Sequence, residues 1–199
     1  MILFILLQIH GITTLKRNQI SPPIKHFFNM KFHLLILLSI HLLQTPFITT
    51  GDRSLIESTC RATPSYNLCM STLLTNPKSS TGDVSELGLI MVGATKAKAT
   101  RAIQQIKSVY RSRPDLRRAL NECAQMYIAV VQADVPSAVQ ALDGGQPKFA
   151  EDGMADTAVE AQACERSFIE RGHKSPLTKM NKDIENVANV ARAIIRMLL

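Results

Sequence analysis

Four cysteines, Cys60, Cys69, Cys123 and Cys164, limit the folds open to this chain more than any other feature. All four follow an apolar segment with the pattern of a secretory leader, and the secretory pathway oxidises paired thiols. We therefore expect two disulfides. Three pairings are possible, although Cys60 and Cys69 are close enough in sequence to staple a small hairpin, in which case Cys123 and Cys164 would join two distant segments.

Residues 30–50 predict a signal peptide. The basic start Met30-Lys31 precedes an apolar run from Leu34 to Leu43. This run is too short to span the roughly 30 Å hydrocarbon core of a bilayer. We expect cleavage near residue 50, which leaves residues 51–199 as one mature domain without a membrane segment.

Residues 1–29 do not fit this leader, because their apolar stretch precedes their basic residues. The simplest interpretation is an upstream in-frame start, which adds residues that are not part of the mature protein. An N-terminal anchor segment is the alternative interpretation.

The charge of the expected mature region is nearly balanced. All 16 acidic residues and 19 of the 23 basic residues follow Gly51, so the net charge falls from +7 to +3. A small positive charge favours acidic partners only weakly and predicts no nucleic-acid binding. The cluster Arg111, Arg113, Arg117 and Arg118 has no interleaved aromatic residues, and we interpret it as a solvated face.

The expected mature region lacks the residue groupings that catalysis or metal binding needs. Its only histidine is His173, which we interpret as a surface residue. It has no Gly-rich phosphate loop and no acyl-transfer nucleophile motif. Glu151-Asp152 could serve as a carboxylate pair, but adjacent acidic residues at a helix start more often cap the helix and complement its dipole. We therefore expect no enzyme activity, no cofactor and no metal site.

Helical periodicity dominates residues 51–199, so we predict an all-α domain. A short helix is expected at 55–61, and a second begins at Thr63-Pro64 and ends before Asn76-Pro77. Four longer helices follow, at about 83–111, 114–143, 154–171 and 175–198.

Several signals define the ends and faces of these long helices. Asp83 and Glu86 have the spacing of a capping box. Pro136 is expected to kink or break the second long helix, which ends at Gly144-Gly145. Apolar residues recur at steps of three and four, as in a packed bundle. The expected apolar face of the first long helix is Leu87, Ile90, Met91, Ala94, Ala97, Ile103, Ile106 and Tyr110.

The loop expected at residues 143–153 is the best candidate for a binding site. Its two adjacent glycines allow a sharp exit from the second long helix, and Pro147 fixes one backbone angle. Lys148 and Phe149 then present a charge beside an aromatic ring. On one interpretation, Phe149 packs beneath the third long helix. On the other, the pair enters a cleft of another protein that is lined with carboxylates and apolar walls.

The cysteine spacing and the helical pattern resemble those of the plant invertase and pectin methylesterase inhibitor family over residues 52–199. The segments that resemble its invertase-inhibitor branch are Glu57-Ser-Thr-Cys60, Thr63-Pro-Ser-Tyr-Asn-Leu-Cys69, Leu89-Ile-Met-Val92 and, above all, Pro147-Lys-Phe-Ala-Glu-Asp-Gly-Met154. The four cysteines point to the family, whereas the Pro-Lys-Phe segment points to invertase as the target.

This resemblance implies an antiparallel up-and-down four-helix bundle with an N-terminal α-helical hairpin. The disulfides it implies are Cys60–Cys69 and Cys123–Cys164. The target of the implied inhibitor is a plant acid invertase of the cell wall or vacuole. The residues implied to enter the substrate cleft of that enzyme are Pro147, Lys148 and Phe149.

On this hypothesis the Lys148 ammonium meets catalytic carboxylates of the invertase, and Phe149 fills apolar space meant for sugar. The contact should weaken in strong acid, because carboxylates with a pKa near 4 lose their charge. A pectin methylesterase inhibitor on the same scaffold is the main alternative, and a wall-associated structural protein without an enzyme target is another. The leader predicts secretion to the apoplast or cell wall, with the vacuole as a further destination.

Overall fold

A computed structural model describes residues 50–199, so the predictions for residues 1–29 and for the leader fall outside the described residues. The described part is helical and contains no β-strand. Its α-helices are α1 (Thr50–Arg61), α2 (Tyr66–Leu74), α3 (Val84–Ser112), α4 (Arg117–Ala129), α5 (Val135–Asp143), α6 (Pro147–Ile169) and α7 (Thr178–Arg196). In residues 50–199 we find no helix with the length and apolarity needed to cross a membrane.

The last five helices form the predicted four-rod bundle. A single turn of π-helix, Val130–Asp134, joins α4 to α5, and helical backbone on both sides makes these segments one continuous rod. Along the chain, short connections link α3, this rod, α6 and α7, which favours antiparallel neighbours. The rod packs against α3 and α6, and α7 packs against both α3 and α6, so the four rods enclose one core.

The disulfides Cys60–Cys69 and Cys123–Cys164 are both present, with Cα–Cα distances of 5.5 Å and 4.7 Å. The first closes the hairpin of α1 and α2, and the second joins α4 to α6. All four cysteines are fully buried. The sequential pairing that the family resemblance implies is therefore confirmed.

The buried faces of the long helices follow the predicted spacing, with one error on α3. Ala97 is exposed, whereas Thr95 and Ala99 are buried. Thr95 can lie in the core because its hydroxyl donates to the carbonyl of Met91 at 2.9 Å. The predicted buried face contained only apolar residues. It therefore left out Thr95, a polar residue whose hydroxyl is hydrogen-bonded within its own helix.

Helices α2 and α7 begin later than predicted. The helix expected from Thr63-Pro64 begins at Tyr66, because the Thr63 hydroxyl donates to the carbonyl of Cys60 and closes α1 instead. The last helix was expected from Ser175-Pro176 and begins at Thr178. The Ser175 hydroxyl accepts from the Leu177 amide at 3.0 Å and forms the turn before α7.

Pro136 was expected to kink or break the second rod, and a break is wrong, because helical backbone continues through it. It lies in the first turn of α5, directly after the π turn, where a widened helix accommodates a residue without an N–H. The rod ends at Asp143, close to the predicted Gly144-Gly145. Gly145 has a φ of +66°, and the Gln146 amide donates to the carbonyl of Ala141 at 2.8 Å, as in a Schellman motif.

Candidate functional site

The segment predicted as a loop at residues 143–153 is mostly helix. The third long helix was expected to begin near Met154, but α6 begins at Pro147, at the position where proline is best tolerated. Gly153 lies inside α6 and packs closely on the π turn, since a Cβ there would lie 3.3 Å from the carbonyl oxygen of Asp134. Pro147, Lys148 and Phe149 therefore form the first turn of a helix, which we call the α6 entry turn.

Phe149 projects from the α6 entry turn with 66% of its surface exposed. The interpretation that it packs beneath the third long helix is therefore wrong. An exposed ring of this size leaves apolar area in water that contact with another molecule would remove.

Lys148 is ion-paired within its own helix. Its Nζ donates to Oδ1 of Asp152 at 2.7 Å and to Oε2 of Glu151 at 3.0 Å, while 61% of its side chain is exposed. These hydrogen bonds, that to Asp152 first, raise the pKa of Lys148. The ammonium beside Phe149 is therefore charged and already has two anionic partners.

Glu151 is a buried carboxylate held by cations from two helices. Only 4% of its side chain is exposed. Its Oε1 accepts from Nε of Arg192 at 3.2 Å, from Nε of Arg196 at 2.9 Å and from Nη2 of Arg196. Hydrogen bonds from Arg196 and then Lys148 lower the pKa of Glu151 to about 2. Glu151 lies beyond the first turn and does not cap α6, contrary to the prediction. Its ion pairs with Arg192 and Arg196 instead connect the start of α6 to the end of α7.

A polar cleft of about 300 Å³ borders this ion-pair cluster. It lies between the turn that joins α1 to α2 and the second half of α7. Its lining residues are Pro64, Ser65, Asn186, Asn189, Arg192, Ala193 and Arg196. Arg192 and Arg196 thus contribute both to the cleft and to the support of the α6 entry turn.

A second pair of acidic residues lies where α6 crosses the π turn. Oδ2 of Asp134 and Oε2 of Glu160 are buried and accept no hydrogen bond from a donor in the described residues. Burial, followed by the charge of Asp134, raises the pKa of Glu160 to about 8. Burial likewise raises the pKa of Asp134. The sequence carried no signal for this pair, because the two residues meet only when α6 packs on the π turn.

The other predicted surface features are exposed or paired. Arg111, Arg113, Arg117 and Arg118 are all exposed, as expected for a solvated face. Three of these arginines have partners, since Arg113 pairs with Asp115, Arg118 pairs with Glu122 at 3.9 Å, and Arg117 lies 5.2 Å from the ring centroid of Tyr110. The part of the chain from residue 50 onwards contains no group of three or more His, Cys, Asp or Glu side chains arranged to hold a metal ion.

The family model for plant invertase/pectin methylesterase inhibitors matches residues 54–194. The chain belongs to this family. It is 43% identical over 144 residues to cell wall / vacuolar inhibitor of fructosidase 1 from Arabidopsis thaliana, which covers 72% of this chain and 69% of that protein. It is 22% identical over 158 residues to pectinesterase inhibitor 2 from the same species, which covers 76% of this chain and 91% of that protein.

Among solved structures, the chain is similar to a mutant form of a pectin methylesterase inhibitor from Arabidopsis. The TM-score is 0.62 at 20% sequence identity, and the match covers 72% of this chain and 97% of that chain. This likeness establishes the fold, a helical bundle with an N-terminal hairpin, for this member of the family.

Proposed function

We propose that this chain is a protein inhibitor, not an enzyme, and that it blocks a plant acid invertase (β-fructofuranosidase) by inserting the α6 entry turn into the sucrose-binding cleft. The observation that carries this proposal is the exposed ring of Phe149 beside the charged Lys148, in a chain similar to a relative named as an inhibitor of fructosidase. A leader at 30–50, a mature domain at 51–199 and delivery to the cell wall or vacuole belong to the same proposal.

The geometry of the α6 entry turn suits a residue that must enter a cleft. Pro147 and the helical backbone fix the main chain, so binding orders only the side chains of Lys148 and Phe149. Phe149 has just two side-chain torsions and a large apolar surface, which is the profile of a binding hot spot. Its ring would fill apolar space that a sugar otherwise occupies.

Lys148 supplies the electrostatic part of the proposal. Glycosidases cleave their substrates with paired carboxyl groups, and a lysine ammonium is a compact charge that can meet such groups. Truncating one partner of a buried charge pair in an interface costs about 2–5 kcal/mol. We expect the lower end of this range for Lys148, because on binding it must give up part of its contact with Asp152.

Inhibition of pectin methylesterase is the second candidate function. It is favoured by the similarity to pectinesterase inhibitor 2 and by the fold shared with pectin methylesterase inhibitors. The sequence identity to those proteins is lower than to the fructosidase inhibitor, so we rank it second. A wall-associated protein without an enzyme target would inhibit neither enzyme.

A paired inhibition assay tests these alternatives. The chain, secreted and oxidised by a eukaryotic host, would be titrated into cell-wall invertase, vacuolar invertase and pectin methylesterase. We expect inhibition of at least one invertase, and we expect Phe149→Ala and Lys148→Ala each to weaken it by about thirtyfold, equivalent to about 2 kcal/mol. Inhibition of pectin methylesterase alone would support the second candidate.

The matched control variant is Ile169→Ala. Ile169 lies at the opposite end of α6 and is 63% exposed, nearly as much as Phe149. The substitution Ile169→Ala therefore removes an exposed apolar side chain from the same helix, as Phe149→Ala does. If Ile169→Ala weakened inhibition as much as Phe149→Ala, the α6 entry turn would not be the inhibitory site.

A further inference from the structure

Asp152 and Glu151 both bind Lys148, but they differ in what else they bind. Glu151 is buried and has two further cations, Arg192 and Arg196. Asp152 has 54% of its side chain exposed, and its ion pairs within residues 50–199 involve Lys148 alone. Asp152 therefore contributes the negative charge of the cluster that faces solvent beside the α6 entry turn.

This arrangement conflicts with an acidic target. A lysine ammonium has three N–H donors, and two of those of Lys148 are directed to Glu151 and Asp152. A carboxylate that approaches the ammonium must share it with Asp152, whose own charge lies 2.7 Å from Nζ. Like charges brought this close repel each other, and the repulsion increases as water leaves the contact.

We propose that Asp152 is an internal competitor for the Lys148 ammonium and thereby limits the affinity of the inhibitor for its acidic target. This inference rests on the proposed function, because it assumes that Lys148 meets carboxylates of the enzyme. Asp152 itself need not touch the enzyme, because it acts indirectly, through its ion pair with Lys148. Arg192 and Arg196 neutralise Glu151, which leaves Asp152 as the competing charge.

If Asp152 served mainly to order the Lys148 side chain before binding, its removal would weaken inhibition instead of tightening it. Removal of Asp152 leaves the contact of Nζ with Glu151 at 3.0 Å, and Glu151 is held in place by the two arginines. The order of the lysine side chain therefore does not depend on Asp152. An exposed ion pair four residues apart on a helix also contributes little to stability, so the repulsion dominates.

The test is Asp152→Asn in the secreted, oxidised protein, with the inhibition constant for invertase measured at low and at high ionic strength. We expect inhibition to tighten by about two- to tenfold at low salt, although the variant loses an ion pair. The gain should shrink at high salt, because exposed charges are screened. A merely structural role would weaken inhibition or leave it unchanged, and it would not produce this salt dependence.

Asp183→Asn is the matched control. Asp183 on α7 pairs with Lys179 at 2.8 Å, with the same four-residue spacing as Asp152 and Lys148. It lies nine residues before Arg192, about 13 Å along the helix. We expect no change in inhibition from Asp183→Asn. An equal gain from both variants would point to net charge and would overturn the proposal.

A second measurement tests the contact without the enzyme. The ¹³Cε resonance of Lys148, followed against pH, reports the pKa of the ammonium. This pKa should fall in Asp152→Asn, because the hydrogen bond that the ammonium donates to Asp152 raises it. An unchanged pKa would overturn the proposal. If Lys148→Ala weakens inhibition and Asp152→Asn does not tighten it, the competitor proposal is wrong and the proposed function stands. If the wild type inhibits no invertase, both proposals are wrong.

Discussion

Arg196, the last residue of α7, donates from Nε to Oε1 of Glu151 at 2.9 Å, across a sequence separation of 45 residues. Because Glu151 also binds Lys148, this contact joins the C-terminal end of the bundle to the α6 entry turn. The position of Lys148 and Phe149 therefore depends on tertiary packing of α6 on α7 and not on the α6 entry turn alone.

We first predict that Arg196→Met destabilises the fold by about 1–3 kcal/mol, because it removes donors from a buried carboxylate that retains two other cations. Urea unfolding at neutral pH measures this change. The control is Arg53→Met, which breaks an exposed pair with Glu57 and should cost under about 0.5 kcal/mol. Equal costs for the two variants would show that Glu151 does not need Arg196.

We next predict that the protein loses stability in acid as Glu151 becomes protonated. Arg196 and Lys148 lower the pKa of Glu151 from 4.5 to about 2. The native state therefore binds this proton less readily than the unfolded state, so the stabilisation is complete above about pH 4.5 and is lost as the pH falls towards 2. We expect a loss on the order of 2–3 kcal/mol from this group. Urea unfolding at pH 5, 3 and 2 should give a shallower pH dependence for Glu151→Gln, and parallel curves would contradict this assignment.

Glu160 should give the opposite pH dependence, a loss of stability as the pH rises. Burial and the charge of Asp134 raise the pKa of Glu160 to about 8. The native state here binds the proton more readily, so its stabilisation is complete below about pH 4.5 and is lost as the pH rises through 8. Glu160→Gln removes the charge, and the new side-chain amide can donate a hydrogen bond to the Asp134 carboxylate.

We therefore expect Glu160→Gln to be more stable than wild type by about 1–2 kcal/mol at pH 8, with a smaller difference at pH 5. Thermal unfolding at the two pH values measures this difference. Glu170→Gln, at an exposed position just after α6, is the control and should change neither value. If Glu160→Gln were less stable than wild type at pH 8, the charge of Glu160 would not destabilise the native state.

The two disulfides should contribute unequally. They close segments with sequence separations of 9 for Cys60–Cys69 and 41 for Cys123–Cys164. In the chain-entropy model this difference predicts losses of about 2.6 and about 3.9 kcal/mol when each pair is replaced by alanine. Denaturant unfolding of the two double variants measures both values. A larger loss for the hairpin pair would show that native packing, rather than loop closure, sets the contribution of each bridge.

The elements that sequence reasoning located well are those fixed by local physics. Asp83 caps α3, because its Oδ1 accepts from the Glu86 amide at 2.9 Å, as the capping-box spacing predicts. The buried stripe of Leu116, Leu120, Cys123 and Tyr127 follows from helical periodicity alone. Such features depend on residues within one or two turns, which a sequence displays directly.

The start of α6 could not be read in this way. Gly144, Gly145, Pro147 and Gly153 look like loop residues, but Gly153 lies in the helix because the backbone of Asp134 packs against it. The signal that could have revealed the helix was the apolar spacing of Ala150, Met154 and Ala158, all of which are buried. Contacts such as Glu151 with Arg196 and Asp134 with Glu160 join segments that are distant in sequence. Local sequence patterns do not reveal them, because only tertiary packing brings the two partners together.

The central claim is that the α6 entry turn enters the substrate cleft of a plant acid invertase. A crystal structure of the complex tests it most directly. We predict that Nζ of Lys148 lies about 3 Å from a carboxylate oxygen in the catalytic pocket, with the ring of Phe149 covered by the enzyme. A complex that leaves Phe149 in solvent and presents a different face of the bundle to the enzyme would contradict the claim.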